Sequence, residues 1–543
     1  MSKDDILASI LAGRGLAGEV AEQFLHPDYG SVHDPFLLPD MHQAVDRIKQ
    51  ALDKQEAVVI YGDYDIDGIT ATAILLDGLT KMSLKVDAYT PNRFTEGYGL
   101  NVDAIKALAK TDAKLVITVD CGSLSHEEIK LANELGLDVI VTDHHAVADD
   151  LPQAIAVVNP HREDNQYPFA DLAGCGVAFK LVQALQTELV GLPKGQEKWL
   201  LDLVALGTVC DIVPLVGENR VLTYWGIEVM KKTRHLGLKA LMAVTKMSPV
   251  EVDSRKIGFV LGPRLNAAGR LDTAQHALEL LTTTSSKLAL ELANRLDGLN
   301  RERRIEQDRI FAEAAQQLEG CKDDVLVVGD GSWNEGVIGI VASKLMEKYD
   351  KPTFVLSMGE QESKGSGRSF GDFNMAEAID ATRSLLLRGG GHAAAGGVTL
   401  KTSKVDEWRA ALGDFYRSLK LKDQKKYLLA SEDIRLSSLE GVDISLVDKL
   451  AQLEPFGMGN EKPVFHLEDV QARFVDKIGK GGDHLKLTVA DSDDNSLKFL
   501  AFSPPSEWFV EPGSKVSAWV NLEVNEWNGN KTVEGRILRL ELL

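Results

Sequence analysis

The sequence predicts an α/β protein of several domains: two α/β units joined by a long helix, then a small C-terminal β-barrel. Three observations carry this. Residues 51–215 alternate short apolar runs with helical segments, the pattern of a mainly parallel sheet covered on both faces. Residues 287–320 form a proline-free stretch dense in i,i+4 charge pairs, which reads as a solvated helix bridging two domains. From about 431 onward, five alternating runs separated by Gly, Asp and Asn turns predict a barrel, with an OB-fold as the leading candidate.

In the first unit the apolar runs EAVVIY (56–61), LKVDAYT (84–90), KLVITV (114–119), LDVIV (137–141) and IAVV (155–158) read as strands. Helices are expected over 69–82, 101–110, 125–136, 173–190 and 197–209, with the chain turning at Gly68 into the first of them. Residues 220–285 look helical. The second unit opens with strand DVLVVG (324–329), continues through helix 337–349 and strand PTFVLSM (352–358), and contains the glycine-rich GGGHAAAGG (389–397). Barrel strands are expected at 463–475, 484–491, 496–503, 514–524 and 532–542. The domain divisions that follow are an N-terminal helical segment (1–50), a first α/β unit (51–230), a helical region with the long helix (231–322), a second α/β unit (323–425) and the barrel (431–543).

Composition narrows the class. With 543 residues, 44% of them hydrophobic and 26% charged, the chain has the make-up of a soluble protein too long for one core. Its four cysteines form no CxxC pair, so neither a zinc knuckle nor a disulfide frame is indicated. The first residues lack a signal-peptide core, and no run approaches the roughly 18 apolar residues of a membrane span. The expectation is a cytoplasmic protein without a membrane partner. A net charge of -21 opposes casual binding of nucleic acid, so any polyanion must meet a local basic surface.

The chemistry concentrates at strand ends. GDYDIDG (62–68) follows the first apolar run, Asp120 ends the third, and TDHH (142–145) follows the fourth. Ligands of parallel sheets bind at the carboxyl ends of the strands. Acids and imidazoles gathered there repel one another unless cations sit between them. Strand alternation would put Asp63, Asp65 and Asp67 on one side. Asp211, after the apolar helix LLDLVALGTVC (200–210), adds a further carboxylate. Carboxylates suit hard divalent ions, and added imidazole moves the preference from Mg²⁺ toward Mn²⁺. For GDYDIDG taken alone, a capped helix start remains the competing reading.

The set GDYDIDG, VDCG (119–122), TDHH and GTVCDIVPL (207–215) resembles the DHH phosphoesterase superfamily, and within it the bacterial RecJ single-strand exonuclease family. RFTEGYGL (93–100), GPRLNAAGRL (262–271), EGVIGIVASKL (335–345), GSGRS (365–369), GGGHAAAGG and EPFGMGNEKPVF (454–465) extend the resemblance along nearly the whole chain. It implies a DHH catalytic domain, a DHHA1-like substrate-binding domain and a nucleic-acid-binding OB-fold. It further implies two divalent ions, Mn²⁺ preferred or Mg²⁺, held by Asp65, Asp67, Asp120, His144 and Asp211. Asp63 and His145 then orient the ligands, with Asp63 as an additional candidate ligand. Two departures stand out: Tyr61 and Asn334 occupy positions where some relatives carry histidine.

The same resemblance assigns Arg93, Ser366 and Arg368 to a terminal 5′-phosphate, a role a guanidinium fork suits. Asn266 and Arg270 offer donors to a phosphate backbone, and Gly390, Gly391 and His392 to a scissile phosphate. In the barrel, Arg473, Lys477, Lys480, Lys486 and Lys498 interleave with Phe474, Phe499 and Trp519, a composition suited to single strands, although about half of the aromatics should be core. The implied function is 5′-to-3′ hydrolysis of single-stranded DNA to mononucleotides in DNA repair and recombination. A single-strand-binding protein and a RecQ-type helicase are the partners such a role implies.

Overall fold

A computed structural model describes the chain apart from residues 1, 94, 98, 422–430, 480 and 528 and the side chain of Trp527. Lys480, expected on the barrel, and residues 94 and 98 of RFTEGYGL lie outside the described residues.

Helix α1 (Lys3–Gly13) opens the chain, and α2 (Met41–Asp53) leads into the first sheet. There follow β1 (Ala57–Gly62), α3 (Ile66–Lys81), β2 (Lys85–Tyr89), α4 (Val102–Leu108), β3 (Ala113–Val119), α5 (His126–Glu134), β4 (Asp138–Thr142) and β5 (Ala156–Val158). The strand order β2-β1-β3-β4-β5 is parallel throughout. Alternation along β1 shows why both faces must be covered. Val58 and Ile60 enter one core with α2 and α3, while Val59 and Tyr61 enter another with α4. Helices α6 (Gly174–Glu188), α7 (Leu201–Asp211) and α8 (Gly217–Met230) extend the first of these cores.

GDYDIDG does not continue as a strand. β1 ends at Gly62 and α3 begins at Ile66, so the chain turns at 63–65 rather than at Gly68. Asp65 caps the helix by accepting from the Gly68 N–H at 3.1 Å, and capping therefore overrides alternation here. Gly68 permits this turn, because a Cβ there would lie 2.6 Å from Asp63 O.

Helices α9 (Gly262–Leu271) and α10 (Ser286–Gln317) lead to the second unit. α10 spans about 48 Å and is less solvated than its charge pairs predict. Leu292, Ala293 and Leu296 sit in the first core, and Ile310 and Ala314 in a core of the second unit. The helix therefore ties two cores through one rigid element. The second unit runs β6 (Leu326–Asp330), α11 (Ile338–Tyr349), β7 (Thr353–Met358), β8 (Glu362–Arg368), α12 (Met375–Ala381), β9 (Arg388–Gly391) and β10 (Ala395–Lys401), in sheet order β6-β7-β8-β10-β9.

The C-terminal sheet contains β11 (Ile434–Leu436), β12 (Phe465–Ile478), β13 (His484–Ala490), β14 (Ser496–Phe502), β15 (Lys515–Trp527) and β16 (Asn530–Leu542). Pairing of β12 with β15 closes it into a barrel, which removes most of the exposed edge. Its core also takes Ile6, Leu7, Ile10 and Leu11 of α1, so the two ends of the chain pack together. Each such side chain contributes roughly 1.5–3 kcal/mol on burial, as an upper estimate.

Candidate metal centre and anion pocket

Register brings the strand-end acids together. Gly62 of β1 pairs with Val119 of β3, and Val119 with Thr142 of β4, so Asp63, Asp120 and Asp143 follow at one sheet edge. The sheet order reverses between β1 and β3, which makes this edge the crevice of the fold. Asp120 extends the ladder by donating its N–H to Thr142 O at 3.0 Å, yet sits at φ 58°, a left-handed position that Asp tolerates better than most residues.

The remaining donors arrive from helices. Asp67 stands in the first turn of α3, and Asp211 is the last residue of α7. His144 Nε2 lies 3.1 Å from Asp120 Oδ1, 3.6 Å from Asp211 Oδ2 and 3.7 Å from Asp67 Oδ2. Donor atoms within 4.8 Å of one another form three sets, Asp67–His144–Asp211, Asp63–Asp65–Asp120 and Asp120–His144–His145, which join through Asp120 and His144.

The surroundings suit cations. Burial first, then the neighbouring carboxylates Asp67 and Asp65, push Asp120 well above the usual carboxylate range, and push Asp211 up to about 8. Burial and Asp65 do the same for Asp63. Burial holds the His144 imidazole below its ordinary value, in the neutral form a metal needs. Asp63 Oδ1 and His144 Nε2 are buried without a hydrogen-bond partner among the described residues. A set of oxygens with one or two imidazole nitrogens fits Mn²⁺ or Mg²⁺.

Asp143 plays a different part from the acids around it. Its Oδ1 accepts from the His144 and His145 N–H groups and from His145 Nδ1 at 2.8–3.1 Å, while Oδ2 accepts from the Ser123 N–H at 2.9 Å. Although burial opposes it, these bonds hold Asp143 ionised and lift His145 to about 9. Asp143 therefore orients the two histidines.

Two supports were not among the sequence candidates. Asp67 accepts backbone N–H bonds from Gly174 (2.6 Å) and Cys175 (2.9 Å), the first residues of α6. A Cβ on Gly174 would fall 2.8 Å from Asp120 Cβ and 2.9 Å from Asp67 Oδ2. The second is Gly207 of α7, where a Cβ would come within 2.8 Å of Asp67 Oδ1. The small-residue run AGCG (173–176) opening a helix was the available signal.

Tyr61 serves the neighbouring loop. Its hydroxyl donates to Gly99 O and accepts from Asn101 Nδ2, both at 3.1 Å, and its ring stacks on Tyr89. It thus anchors the segment that carries Arg93. Asn334 closes a turn before α11, its Oδ1 accepting from the Gly336 N–H at 2.8 Å.

A second constellation faces the metal edge. Arg93 lies over the Tyr64 ring at 5.1 Å. α9 packs on the same loop, since a Cβ on Gly269 would meet Tyr64 O at 2.9 Å, and Arg270 donates to Gly336 O at 3.2 Å. In the second unit Arg368 donates to Ser366 Oγ at 3.1 Å, and Gly339 lets α11 approach both residues. Burial first, then Arg93, Arg303 and Arg368, lowers Arg270 to about 10. None of Arg93, Arg270 and Arg368 forms an ion pair among the described residues. Three guanidiniums held near one another, with Asp63 and Asp65 within electrostatic reach but not ion-paired to them, are a pocket for an anion beside the metal edge. Asn266, one turn before Arg270, lies half-buried on the same helix face. Gly390, Gly391 and His392 lie in the β9–β10 hairpin, where β9 is an edge strand, and the His392 N–H donates to Ala395 O in its exposed turn. Pairing with β10 occupies part of that glycine backbone.

The barrel separates its aromatics. Phe499 and Trp519 are buried, whereas Phe474 is 66% exposed. Cross-strand register aligns Phe474, Thr488, Lys498 and Glu534 in one outward row, with Asp476, Lys486, Leu500 and Arg536 in the next. Exposed Phe502 stands on the same face with Arg536 and His484 against its ring.

Comparison with known proteins agrees with this architecture. Family models match at residues 57–208 (DHH family, N-terminal domain), 322–418 (DHHA1 domain) and 433–538 (RecJ OB domain). The chain is 39% identical to the single-stranded-DNA-specific exonuclease RecJ of Bacillus subtilis, over 97% of this chain and 66% of that protein. It is 34% identical to the Escherichia coli protein of the same description, over 92% and 89%. The crystal structure of RecJ in complex with Mn²⁺ from Thermus thermophilus superposes with TM-score 0.83 at 28% identity, covering 99% of this chain and 76% of that one.

Proposed function

Because the chain belongs to the RecJ family of single-stranded-DNA-specific exonucleases, we propose that it removes mononucleotides from the 5′ end of single-stranded DNA by a two-metal reaction. Single-stranded DNA as substrate and dependence on divalent metal follow from that membership. The observation that carries the finer reading is the approach of Asp67, Asp120 and Asp211, from three separate elements, to His144 Nε2.

In this reading Asp65, Asp67, Asp120, His144 and Asp211 hold the ions, with Asp63 as a further donor. When bound, a pair of divalent ions, Mn²⁺ preferred or Mg²⁺, polarises a phosphoryl oxygen and activates a water for in-line attack. The chain's own groups do the rest. Asp143 orients both histidines, and His145, its Nδ1 bonded to Asp143 and its ring beside His144, helps position the ligands around Asp120. Arg93, Arg270, Arg368 and Ser366 receive the terminal 5′-phosphate, which puts the first phosphodiester at the carboxylates and sets the polarity. Asn266, Gly390, Gly391 and His392 contribute donors along the strand's backbone. The barrel face with Phe474, Phe502, Lys498 and Arg536 stacks bases and tracks phosphates of the strand on the 3′ side, so a chain of net charge -21 meets its polyanion only on local basic surfaces. The catalytic unit spans 51–230, the helical connection 231–322, the substrate-binding unit 323–425 and the barrel 431–543. Work in DNA repair and recombination, beside a single-strand-binding protein and a RecQ-type helicase, belongs to the same reading.

The test offers 5′-phosphorylated single-stranded DNA, RNA dinucleotides and cyclic dinucleotides with Mn²⁺. Mononucleotide release from DNA is expected. A preference for dinucleotides would point to another branch of the superfamily, and no turnover on any substrate would remove the nuclease reading.

A further inference from the structure

The segment Glu454–Asn460 (EPFGMGN) has no part in the reading above. It belongs to the C-terminal region, just before β12, yet it packs beside the turn that follows Asp211.

That turn is strained. Ile212 follows Asp211 at φ 64°. A β-branched residue is disfavoured in the left-handed region, where its Cβ crowds the next carbonyl. The Ile212 side chain is 64% exposed, so its own packing does not impose the conformation. Such a backbone persists only where its surroundings over-determine it.

The determining contacts come from downstream. Leu215, buried, donates its N–H to Met458 O at 2.7 Å. Gly457 lies so close to the Leu215 side chain that a Cβ there would fall 2.6 Å from Cδ1. By the same measure Gly459 faces Pro214 at 3.3 Å. From within the first unit, Asn219 Nδ2 donates to Pro214 O at 3.1 Å. The segment is itself held. Asn460 Nδ2 donates to Leu453 O and Pro455 O, both at 2.8 Å, and its Oδ1 accepts from Arg14 Nη1 at 2.7 Å. Phe456 O accepts from Ser254 Oγ at 2.6 Å.

We infer that Glu454–Asn460 is a positioning element for Asp211: it clamps residues 214–216, keeps Ile212 in its left-handed turn and so directs the Asp211 carboxylate toward His144. The inference rests on Asp211 being a metal ligand, as proposed above. It gives the C-terminal region a task in the chemistry, separate from holding the strand.

The test uses two variants of the full-length chain. Gly457→Val drives a side chain into Leu215. Asn460→Ala loosens the segment without adding bulk, and decides the matter if the first variant does not fold. Mn²⁺ affinity is read from the electron paramagnetic resonance of free Mn²⁺, and kcat and KM are measured on short and long 5′-phosphorylated strands. The expected result is Mn²⁺ binding weaker by on the order of 10-fold, with kcat reduced on both lengths, recovery in excess Mn²⁺ and an unchanged ratio of the two KM values. Wild-type Mn²⁺ affinity and kcat, with only a lower Tm or a KM effect confined to long strands, would overturn it. Mn²⁺ binding unaffected by Asp211→Asn would instead refute the metal-ligand reading itself, so the two failures are distinguishable.

Discussion

Gly174→Ala sets two physical effects against each other. Gly174 is the first residue of α6 and has no left-handed φ, so alanine is allowed there by the backbone. Helix propensity alone predicts a gain of up to about 1 kcal/mol. Packing predicts the reverse for the site. The added Cβ falls 2.8 Å from Asp120 Cβ and 2.9 Å from Asp120 Oδ1 and Asp67 Oδ2, about 0.6 Å short of the 3.4 Å at which ordinary contact begins. Both aspartates are buried, so they move together with the helix start that holds Asp67. A ligand displacement of that size costs on the order of 10- to 100-fold in metal affinity or turnover, while overpacking offsets the propensity gain and leaves Tm nearly unchanged. The assay is Mn²⁺ binding by electron paramagnetic resonance alongside kcat on a 5′-phosphorylated oligonucleotide. Gly176→Ala is the control, since its nearest neighbour, Leu172, stands at an ordinary 3.4 Å. A Gly174→Ala protein that binds Mn²⁺ and turns over like the wild type would refute the idea that the α6 start fixes Asp67 and Asp120.

The other predictions can be checked with the same preparations. Asp120→Asn, which keeps a residue tolerant of φ 58°, should abolish cleavage while leaving DNA binding within about 2-fold by filter or fluorescence titration; retained turnover would count against the shared carboxylate. Arg368→Ala should reduce the preference for a 5′-phosphate over a 5′-hydroxyl end in competition kinetics by on the order of 10-fold, and an unchanged preference would dismiss the anion pocket. Without metal, Asp63, Asp120 and Asp211 bind protons more tightly folded than unfolded, so stability should fall as pH rises from about 4 toward about 8. Added Mn²⁺ should therefore raise Tm more at pH 8 than at pH 5, which differential scanning calorimetry would show. Phe474→Ala should raise KM for long strands more than for short ones, and an equal effect on both would leave the barrel face without its proposed role.

Much of this was legible because it is local. Apolar runs of strand length placed Asp120 and Asp143 at strand ends, and the register between parallel neighbours then aligned them. Asp63 and Asp65 were found by the same rule but for a partly mistaken reason: capping turned the chain at 63–65, where alternation would have carried it to Gly68. The long helix was located by its charge pairs, yet Leu292 and Ile310 in two different cores show that its role is to join them. Which barrel aromatics face out depended on register, which aligned Phe474 with Lys498 and turned Phe499 inward.

The sequence by itself determined the chemical inventory and its order along the chain: which strand ends carry acids, which segments carry arginines, and which runs must be buried. Those properties follow from periodicity and side-chain type, which need no knowledge of distant neighbours. Tertiary structure alone decided that Gly174 cradles Asp67 and Asp120, that Arg93, Arg270 and Arg368 meet from three elements, and that Met458 braces the turn after Asp211. Each of these depends on how separate helices and sheets pack to within a few tenths of an ångström, and no spacing within one segment encodes that.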